Sequence, residues 1–569
     1  MQIKNSATSH QFDAIIIGSG MSGGWAAKEL CEAGLKTLVL ERGPMVKHGD
    51  YPTAMWNPWD IQHRGQMSTV DNAENPIVNK CYAYNETTEH FFVKDTQHPY
   101  VQEKPFDWIR GYQVGGKSLL WARQTQRWSH FDFEAPLRDG YAVDWPIRYQ
   151  DIEPWYSYVE KFVGICGDRD GIENLPDSEV MPGFELNCVE KHIQQKIHDK
   201  YNKQRRIIIG RCAHLTEPQE IHLQQGRGRC QRRTLCERGC PYGGYFSSVS
   251  STIPWANKTG NLTLIPDAVV HSIVYDEKTG KASSVIVLNA HTNESTEYFA
   301  KIIFVNAATI NSNLILLNSK SDRFPHGLGN DHDILGRYVA FHNYRGNVSA
   351  TMDGYLDKYY YGRRPTQAFM PSFRNVHKQE TDFLRGYMAY YIAYRPGWGK
   401  DYSQSGIGEE LKSSIKDPGP WQIAMGMQGE TIPRFEHGVK LSDTLKDKWG
   451  IPQLVTSIGY TPNDDKMAAD FITQGSEMLE SAGCKITAAY DNHQAPGLDI
   501  HEMGGVRMGH NPKTSMLNKW NQIHACKNVF VTDGACMTSV GFQNPSLTFM
   551  ALTARAAHRA IQELKNGSL

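Results

Sequence analysis

The sequence predicts an α/β fold in which a Rossmann-like dinucleotide-binding domain is joined to a domain built on an antiparallel sheet. Near the start of the chain, a strand-like run of isoleucines leads into a G-x-G-x-x-G pattern and then into helix-forming residues. Near its end, a short apolar strand ends in an acidic residue, and an Asn-Pro pair that can open a helix follows. Between these segments, residues 346–489 alternate apolar and polar side chains, which is typical of antiparallel strands with one buried face.

The bulk composition is that of an ordinary globular protein with two domains. A length of 569 residues exceeds what one hydrophobic core usually serves. The formal net charge of −1 lacks the basic surplus expected of a nucleic-acid-binding protein. No apolar run approaches the roughly 18 residues of a membrane span, and the first ten residues lack the apolar stretch of a signal peptide. The eleven cysteines are odd in number and mostly scattered, which argues against a disulfide framework and suits a reducing compartment.

The N-terminal glycines predict a site for the pyrophosphate of a dinucleotide. The segment after the first strand contains Gly18, Gly20, Ser22 and Gly23. The first glycine makes the turn, the second lets the backbone approach the pyrophosphate, and the third lets helix and strand pack closely. A second strand, T-L-V-L, ends in Glu41, where a carboxylate can bind an adenosine ribose. The glycine pattern alone also fits a plain turn, but the flanking strand, helix and distal acid favour the dinucleotide site.

The C-terminal segment predicts a flavin site with a catalytic histidine. In chain order it offers His501 before a glycine-rich turn, Asp533 and Gly534 at a strand end, and Asn544, Pro545 and Ser546 at a helix start. A carboxylate at position 533 can hold the ribityl or pyrophosphate end, and the first helical turn offers unpaired backbone N–H groups. His501 and Asn544 can then meet over the isoalloxazine ring. The alternative roles are a structural histidine and a simple helix cap.

A third segment completes a resemblance to the glucose–methanol–choline (GMC) family of flavin oxidoreductases. It reads G-Y-Q-V-Gly115-Gly116-K-Ser118-L-L-W and resembles the family's second flavin loop. The resemblance spans nearly the whole chain and is strongest to catalytic subunits of bacterial glucoside 3-dehydrogenases. It implies an FAD-binding domain like that of p-hydroxybenzoate hydroxylase, with a backbone contact from Val270 to the adenine. Pyranose oxidases carry a flavin-linked histidine where this chain has Leu120, so the resemblance implies FAD that is bound without a covalent bond.

The motifs divide the chain into one discontinuous FAD-binding domain, a substrate-binding domain and two further segments. The FAD-binding domain is predicted to comprise residues 1–45, 105–130, 250–345 and 490–569. Residues 346–489 are predicted to bind substrate, 46–104 to form a lid and loops, and 210–245 to form a cysteine-bearing segment. In the substrate region, Glu430 resembles the family's pocket wall and is a candidate for binding sugar hydroxyls. Tyrosines and tryptophans between Tyr359 and Trp421 are candidates for stacking on sugar rings, although core packing is the commoner role of such side chains.

Three cysteines in one short stretch predict an iron–sulfur cluster. They are Cys230, Cys236 and Cys240, the last followed by proline. Closed zinc sites need four ligands, and no histidine near them in the sequence offers the fourth. A disulfide would leave one thiol over, whereas closely spaced thiolates can wrap one cluster. Three ligands favour [3Fe–4S], and Cys212 as a fourth would favour [4Fe–4S]. The spacing also resembles the cluster motif of flavin-dependent sugar dehydrogenases in this family.

The expected reaction is oxidation of a secondary hydroxyl. The neutral imidazole of His501 is expected to take the O–H proton while a hydride leaves to flavin N5, and Asn544 is expected to orient the hydroxyl. The resemblance implies the C3 hydroxyl of glucosides or disaccharides as the target. Two other functions stay open: a sugar oxidase that uses O2, similar to pyranose oxidases, and an FAD-binding electron-transfer subunit without catalysis.

The resemblance also implies partners and a location. Electrons would pass from the cluster to an external acceptor, expected to be a c-type cytochrome, and a small subunit would accompany the chain. Because the relatives are exported together with that subunit, we expect a bacterial periplasmic location without a signal peptide on this chain. A cytoplasmic location is the alternative. No nucleic acid and no transmembrane segment are expected.

Overall fold

The computed structural model describes residues 10–360, 364–397 and 406–569, so the predictions that concern the first nine residues, Tyr361 and Trp398 lie outside the described residues. The strands are β1 (Gln11–Ile17), β2 (Thr37–Leu40), β3 (Val101–Gln102), β4 (Ile165–Gly167), β5 (Val180–Pro182), β6 (Ile208–Ile209), β7 (Leu262–Ile265), β8 (Ala268–Asp276), β9 (Lys281–Asn289), β10 (Ser295–Val305), β11 (Arg337–Ala340), β12 (His342–Asn343), β13 (Gly346–Met352), β14 (Ala368–Met370), β15 (Tyr387–Tyr394), β16 (Trp421–Glu430), β17 (Gly438–Lys446), β18 (Pro452–Ser457), β19 (Lys485–Asp491), β20 (Met503–Gly505), β21 (Gln522–Ile523) and β22 (Cys526–Val531).

The helices are distributed along the whole chain. They are α1 (Met21–Glu32), α2 (Thr69–Glu74), α3 (His130–Asp139), α4 (Tyr149–Val163), α5 (Cys188–Lys200), α6 (Glu220–Gln224), α7 (Thr252–Lys258), α8 (Thr309–Asn318), α9 (Glu409–Lys416), α10 (Pro462–Ser481) and α11 (Ser546–Lys565). None of the described helices combines the length and apolar composition that crossing a lipid bilayer requires.

The largest sheet carries the predicted Rossmann-like core. Strands β22, β10, β1, β2 and β7 lie side by side and pair in parallel. Residue Ile17 at the end of β1 is in register with Val305 of β10 and with Leu40 of β2, so the carboxyl ends of these strands meet at one edge. Strands β1 and β2 are short, largely apolar and mostly buried, as parallel strands covered on both faces must be. The predicted α/β fold with a Rossmann-like domain is confirmed.

The second large sheet is antiparallel and is covered on one face by a long helix. Strands β19, β13, β16, β15, β14 and β6 follow one another, and β12 also pairs with β16. Helix α10 begins with a capping box between Thr461 and Asp464 and with a proline in its first turn. Its Met467 and Phe471 are buried in one core with Met427 of β16. The predicted antiparallel-sheet domain is therefore present.

A third, five-stranded sheet takes its strands from several parts of the chain. Strands β20, β11, β17, β18 and β3 form it. Residues 346–489 thus contribute strands to two sheets, and β6 joins the antiparallel sheet from outside that range. The domain boundaries given above stay a prediction.

Candidate functional site

A cavity of about 1120 Å³ lies where the parallel sheet and the antiparallel sheet meet. Its lining includes the loops after β1, β2, β10 and β22 and side chains of β15 and β16. Ligands of open α/β sheets bind outside the carboxyl ends of the strands, where these loops lie. Pockets for drug-sized molecules measure roughly 300–1,000 Å³. The cavity is therefore large enough for a dinucleotide together with a second, smaller molecule.

The first glycine loop is built as the sequence predicted. Gly18 has a φ of +97°, and a Cβ there would lie 2.3 Å from the carbonyl oxygen of Asn306. A Cβ on Gly23 would lie 1.9 Å from the carbonyl oxygen of Gly18, so helix and strand can approach only without a side chain. A Cβ on Gly20 would meet no atom nearer than 4.0 Å, so its free side faces the cavity. Gly20 is also the N-cap of α1, and no side chain caps the helix's first N–H groups.

Glu41 and the second glycine loop are joined through one serine. The Ser19 hydroxyl donates to Oε2 of Glu41 over 2.6 Å and accepts from the backbone N–H of Gly115 over 3.0 Å. Burial raises the pKa of Glu41, although hydrogen bonds from Ser19 and from the backbone N–H of Gly43 oppose the rise. Gly116 and Ser118 line the cavity with Glu41, whereas Gly115, at a φ of +97°, packs against Val249. The two loops predicted from separate parts of the sequence are therefore in contact.

The C-terminal segment surrounds the same cavity. Asp533, Gly534, Asn544, Pro545 and Ser546 all line it, as does Val270 of β8. The Asp533 carboxylate accepts from the Ser312 hydroxyl over 2.5 Å and from the backbone N–H of Ala535 over 3.0 Å. Burial raises the pKa of Asp533 to about 6 despite these bonds. Ser22 also lines the cavity, whereas Gly23 does not and serves packing instead.

His501 lies at the cavity beside Asn544, as predicted, and pairs with a second histidine that the sequence did not reveal. Nδ1 of His501 is 2.9 Å from Nδ1 of His342, and Nε2 of His342 is 3.0 Å from the carbonyl oxygen of Gly541. A carbonyl only accepts, so Nε2 of His342 carries the proton and its Nδ1 is a bare acceptor. Nδ1 of His501 must then be the donor. The Nε2 lone pair of His501 is left facing the amide nitrogen of Asn544 at 3.4 Å.

A buried carboxylate holds the two histidines together. Oδ2 of Asp499 accepts from the backbone N–H of His342 over 2.9 Å and from that of His501 over 3.2 Å. Within the described part of the chain, His342, Asp499 and His501 could each offer one atom to a metal ion, and these three atoms lie within 4.8 Å of one another. Apart from Nε2 of His501, their polar atoms are already occupied by one another and by the backbone. The group is therefore better described as a hydrogen-bonded base than as a metal site.

The environment keeps both imidazoles neutral. Burial, together with the neighbouring His342 and Lys117, holds the pKa of His501 well below its usual range. Burial lowers the pKa of His342 to about 3. Burial and the charge of Glu502 raise the pKa of Asp499 to about 7. A base must be unprotonated to accept a proton, and His501 is so at neutral pH.

The antiparallel sheet supplies the wall opposite these groups. Along β15, Tyr387 and Tyr391 point into the core with α10, while Met388 and Tyr390 between them line the cavity. This alternation is the two-residue period of a strand. Of the predicted stacking residues, Tyr390 reaches the cavity, Trp421 is buried, and Tyr359, Tyr360 and Tyr394 are exposed. Core packing is thus the role of several of them.

Glu430, the predicted sugar-binding residue of the pocket wall, is not among the residues that line the cavity. Its carboxylate is buried and paired with the guanidinium of Arg385, which also pairs with Asp139. Gln428, two residues earlier on β16, lines the cavity instead and donates to the carbonyl of Phe542 over 2.7 Å.

The three predicted cluster cysteines lie around one glycine-bearing turn beside the cavity. A Cβ on Gly244 would lie 3.0 Å from Cα of Cys230 and 3.5 Å from Sγ of Cys240, and Cys236 lines the cavity itself. Burial raises the pKa of Cys230 to about 11 and also raises that of Cys236. Cys212 faces Cys166, with 3.5 Å between their Sγ atoms, and burial and this neighbour raise its pKa well above the usual range.

His214 contacts this cysteine segment, although no histidine near the three cysteines was expected from the sequence. Nε2 of His214 lies 3.7 Å from Sγ of Cys236, although 22 residues separate them in the chain. His214 is 1% exposed, and its Nδ1 has no hydrogen-bond partner. Burial, with Arg123 and Arg227 nearby, holds the pKa of His214 well below its usual range. The sequence spacing of His214 and Cys236 does not predict their contact, because the chain between them is a loop with one short helix, α6.

Comparison with known proteins gives the family. The N-terminal family model of the GMC oxidoreductases matches residues 13–343, and the C-terminal model matches residues 433–553. The chain belongs to the GMC oxidoreductases. It is 25% identical to the 2-methyl-1,2-propanediol dehydrogenase of Mycolicibacterium austroafricanum, over 97% of this chain and 95% of that protein. It is 24% identical to the fructose dehydrogenase large subunit of Gluconobacter japonicus, over 98% of each. A GMC oxidoreductase acts on the CH–OH groups of alcohols or sugars.

A solved structure supports the fold. The GMC oxidoreductase chain superposes on pyridoxine 4-oxidase from Mesorbium loti with a TM-score of 0.57, covering 96% of this chain and 98% of that one at 14% identity. The family implies FAD, and the residues present fit it. The open side of Gly20, the uncapped start of α1 and the unpaired, buried Oδ1 of Asn544 all face the cavity. The comparisons name no iron–sulfur centre, so the cluster stays a prediction.

Proposed function

We propose that this GMC oxidoreductase is an FAD-dependent dehydrogenase that oxidises a secondary hydroxyl of a sugar, with the C3 hydroxyl of glucosides or disaccharides as the target. The observation that carries the proposal is the bare Nε2 of His501, held beside Asn544 at the cavity. Tyr344, Tyr390 and Gln428 line the cavity, where the Tyr344 hydroxyl donates to Oε1 of Gln428, so hydroxyl and amide groups form part of its wall. Such groups suit a polyhydroxylated substrate better than a plain hydrocarbon alcohol.

In the proposed reaction, the C–H bond of the carbinol and its O–H bond both break and a C=O bond forms. His501 takes the hydroxyl proton on Nε2 while its Nδ1–H stays donated to His342. Asn544 holds the oxygen through its amide nitrogen. FAD held in the cavity would supply the acceptor for the hydride and, with it, for both electrons. We expect FAD to be held without a covalent bond, because Leu120 occupies the position of the flavin-linking residue in pyranose oxidases and its side chain cannot form that bond.

We further propose that Cys230, Cys236 and Cys240 hold a [3Fe–4S] cluster, which would supply a one-electron path out of the site. Cys212 is less suited to be a fourth ligand, because its thiol faces Cys166. Among the described residues, no three thiols lie within 4.8 Å of one another as ligands of one metal ion would, which favours a larger cluster over a single zinc ion. Cys236 lines the cavity proposed for the flavin, so this cluster ligand would lie next to the flavin site.

The proposed partners follow from this route. A one-electron centre near the surface serves an external carrier, for which we propose a c-type cytochrome, and a small subunit would accompany the chain to the bacterial periplasm. Both cited relatives are bacterial. Cell fractionation with and without the neighbouring subunit tests the location. Activity confined to the cytoplasm in both strains would refute it.

The substrate is tested by incubating purified protein with a panel of glucosides, free sugars and simple secondary alcohols and an artificial acceptor. We expect reduction of the acceptor with glucosides, and a 3-keto product by NMR. Oxidation at another carbon, or of simple alcohols alone, would refute the substrate proposal. Rapid peroxide formation without an artificial acceptor would favour an oxidase. Anaerobic iron analysis should give about three irons per chain, and an iron-free active protein would refute the cluster.

A further inference from the structure

The contact between His214 and Cys236 places a buried histidine beside the proposed cluster site. His214 pairs with Tyr245 through the backbone, and its ring packs edge-on to Phe184 and tilted against Tyr245. The aromatic rings fix the imidazole, and Nε2 is left 3.7 Å from Sγ of Cys236. A 3.7 Å separation lies within the range of an N–H···S hydrogen bond and also suits two ligands of one metal ion.

The other ring nitrogen distinguishes a hydrogen-bond donor from a metal ligand. A histidine that binds a metal through Nε2 must carry its proton on Nδ1, and it almost always donates that proton to a partner. Nδ1 of His214 is buried and has no partner. Ligation would therefore bury an unpaired N–H group, whereas a proton on Nε2 has the Cys236 sulfur to receive it. The geometry favours the tautomer with Nε2–H.

We propose that His214 donates its Nε2–H to the Sγ of Cys236 and thereby raises the reduction potential of the cluster. The proposal rests on the cluster of the proposed function. Hydrogen bonds to ligand sulfurs stabilise the more negative, reduced state of an iron–sulfur centre and so shift its potential upward. A higher potential makes the cluster a better acceptor for electrons that come from the flavin cavity, which Cys236 lines. His214 is in this sense a positioning residue and does not touch the substrate.

The test compares His214→Gln and His214→Leu with wild type in the protein as purified, together with its partner subunit where one co-purifies. The glutamine amide can replace Nε2–H, and leucine cannot. A control is His222→Gln, which alters another fully buried histidine whose ring nitrogens bond to backbone groups of Lys161 and Gln219. Iron content and an EPR-monitored redox titration are measured for each.

We expect all variants to keep the wild-type iron content. His214→Leu should lose about tenfold in the one-electron equilibrium constant, a fall of roughly 59 mV, and His214→Gln should lose much less. An unchanged potential in His214→Leu would overturn the proposal while leaving the cluster intact. Loss of iron in both variants would overturn it in favour of a ligand role. Wild-type protein without iron would refute the cluster itself and this inference with it.

A measurement on wild-type protein keeps the proposal testable if the variants do not fold. Protein labelled with 15N-histidine is studied by electron–nuclear double resonance on the oxidised cluster, in H2O and in D2O. We expect an exchangeable proton coupling and a weak nitrogen coupling, because the nitrogen lies beyond the sulfur. A strong 15N coupling would show direct ligation and overturn the proposal, and so would the absence of any exchangeable proton near the cluster.

Discussion

Replacing His342 should slow the chemical step although His342 does not face the substrate. Its Nδ1 receives the Nδ1–H of His501, and its Nε2–H is donated to the carbonyl of Gly541. A hydrogen bond between neutral groups contributes about 0.5–1.5 kcal/mol, and one to a charged group about 1.5–3 kcal/mol. When His501 takes the substrate's proton it becomes charged, so the bond to His342 strengthens by about 1–1.5 kcal/mol. His342→Ala should therefore lower the rate of flavin reduction about tenfold.

His342→Asn is the matched comparison. The asparagine oxygen can accept from Nδ1 of His501, and both variants lose the bond to Gly541, so their loss of stability should be similar. Flavin reduction by substrate is followed by anaerobic stopped-flow absorbance, with the melting temperature and the FAD content as controls. We expect His342→Asn to recover most of the rate. Equal slowing in both variants, or no slowing in His342→Ala, would refute the role of His342 in fixing the tautomer of His501.

Three further predictions test the cofactor site and the base. Gly20→Ala should keep the melting temperature of the flavin-free chain but weaken FAD binding. Gly23→Ala should destabilise that chain by about 1–3 kcal/mol or more, because the Cβ of residue 23, unlike that of residue 20, would meet a backbone oxygen. Equal effects of the two variants in thermal denaturation and in FAD titration would contradict this. Acid precipitation should leave FAD in the supernatant, since Leu120 cannot link it, and flavin absorbance in the washed pellet would show the opposite. The rate of flavin reduction should show no inflection near pH 6.5, the usual pKa of histidine, because the pKa of His501 is lowered and the rate falls only when His501 is protonated. A decline in rate centred near pH 6.5 would count against His501 as a base with a lowered pKa.

The parts of the site that follow from local backbone rules were predictable from the sequence. Gly18, Gly20 and Gly23 have distinct steric duties within one turn, and the turn between a strand and a helix needs each of them. The start of α11 after Asn544 follows equally from local rules. The resemblance to the family then joined these segments into one FAD site. Family membership and the fold are confirmed.

The contacts made across long stretches of chain could not be predicted in the same way. His342 and His501 are 159 residues apart, and neither neighbourhood signals a pair. Asp499 stood close to His501 in the sequence, and a carboxylate two residues before a candidate base is a signal that could have been used. Glu430 and Gln428 lie two residues apart on β16, so the strand pattern does not separate them, and the ion pair that Glu430 forms with Arg385 has no signal in the sequence.

The most direct test of the account is the contribution of His501 to flavin reduction. His501→Ala and the control His510→Ala, whose side chain is 67% exposed, are mixed anaerobically with an accepted sugar, and the loss of oxidised-flavin absorbance is timed. The account predicts that His501→Ala keeps bound FAD but is reduced about 10²-fold more slowly or worse, the usual contribution of a general base, while His510→Ala behaves as wild type. Flavin reduction at the wild-type rate in His501→Ala would contradict it.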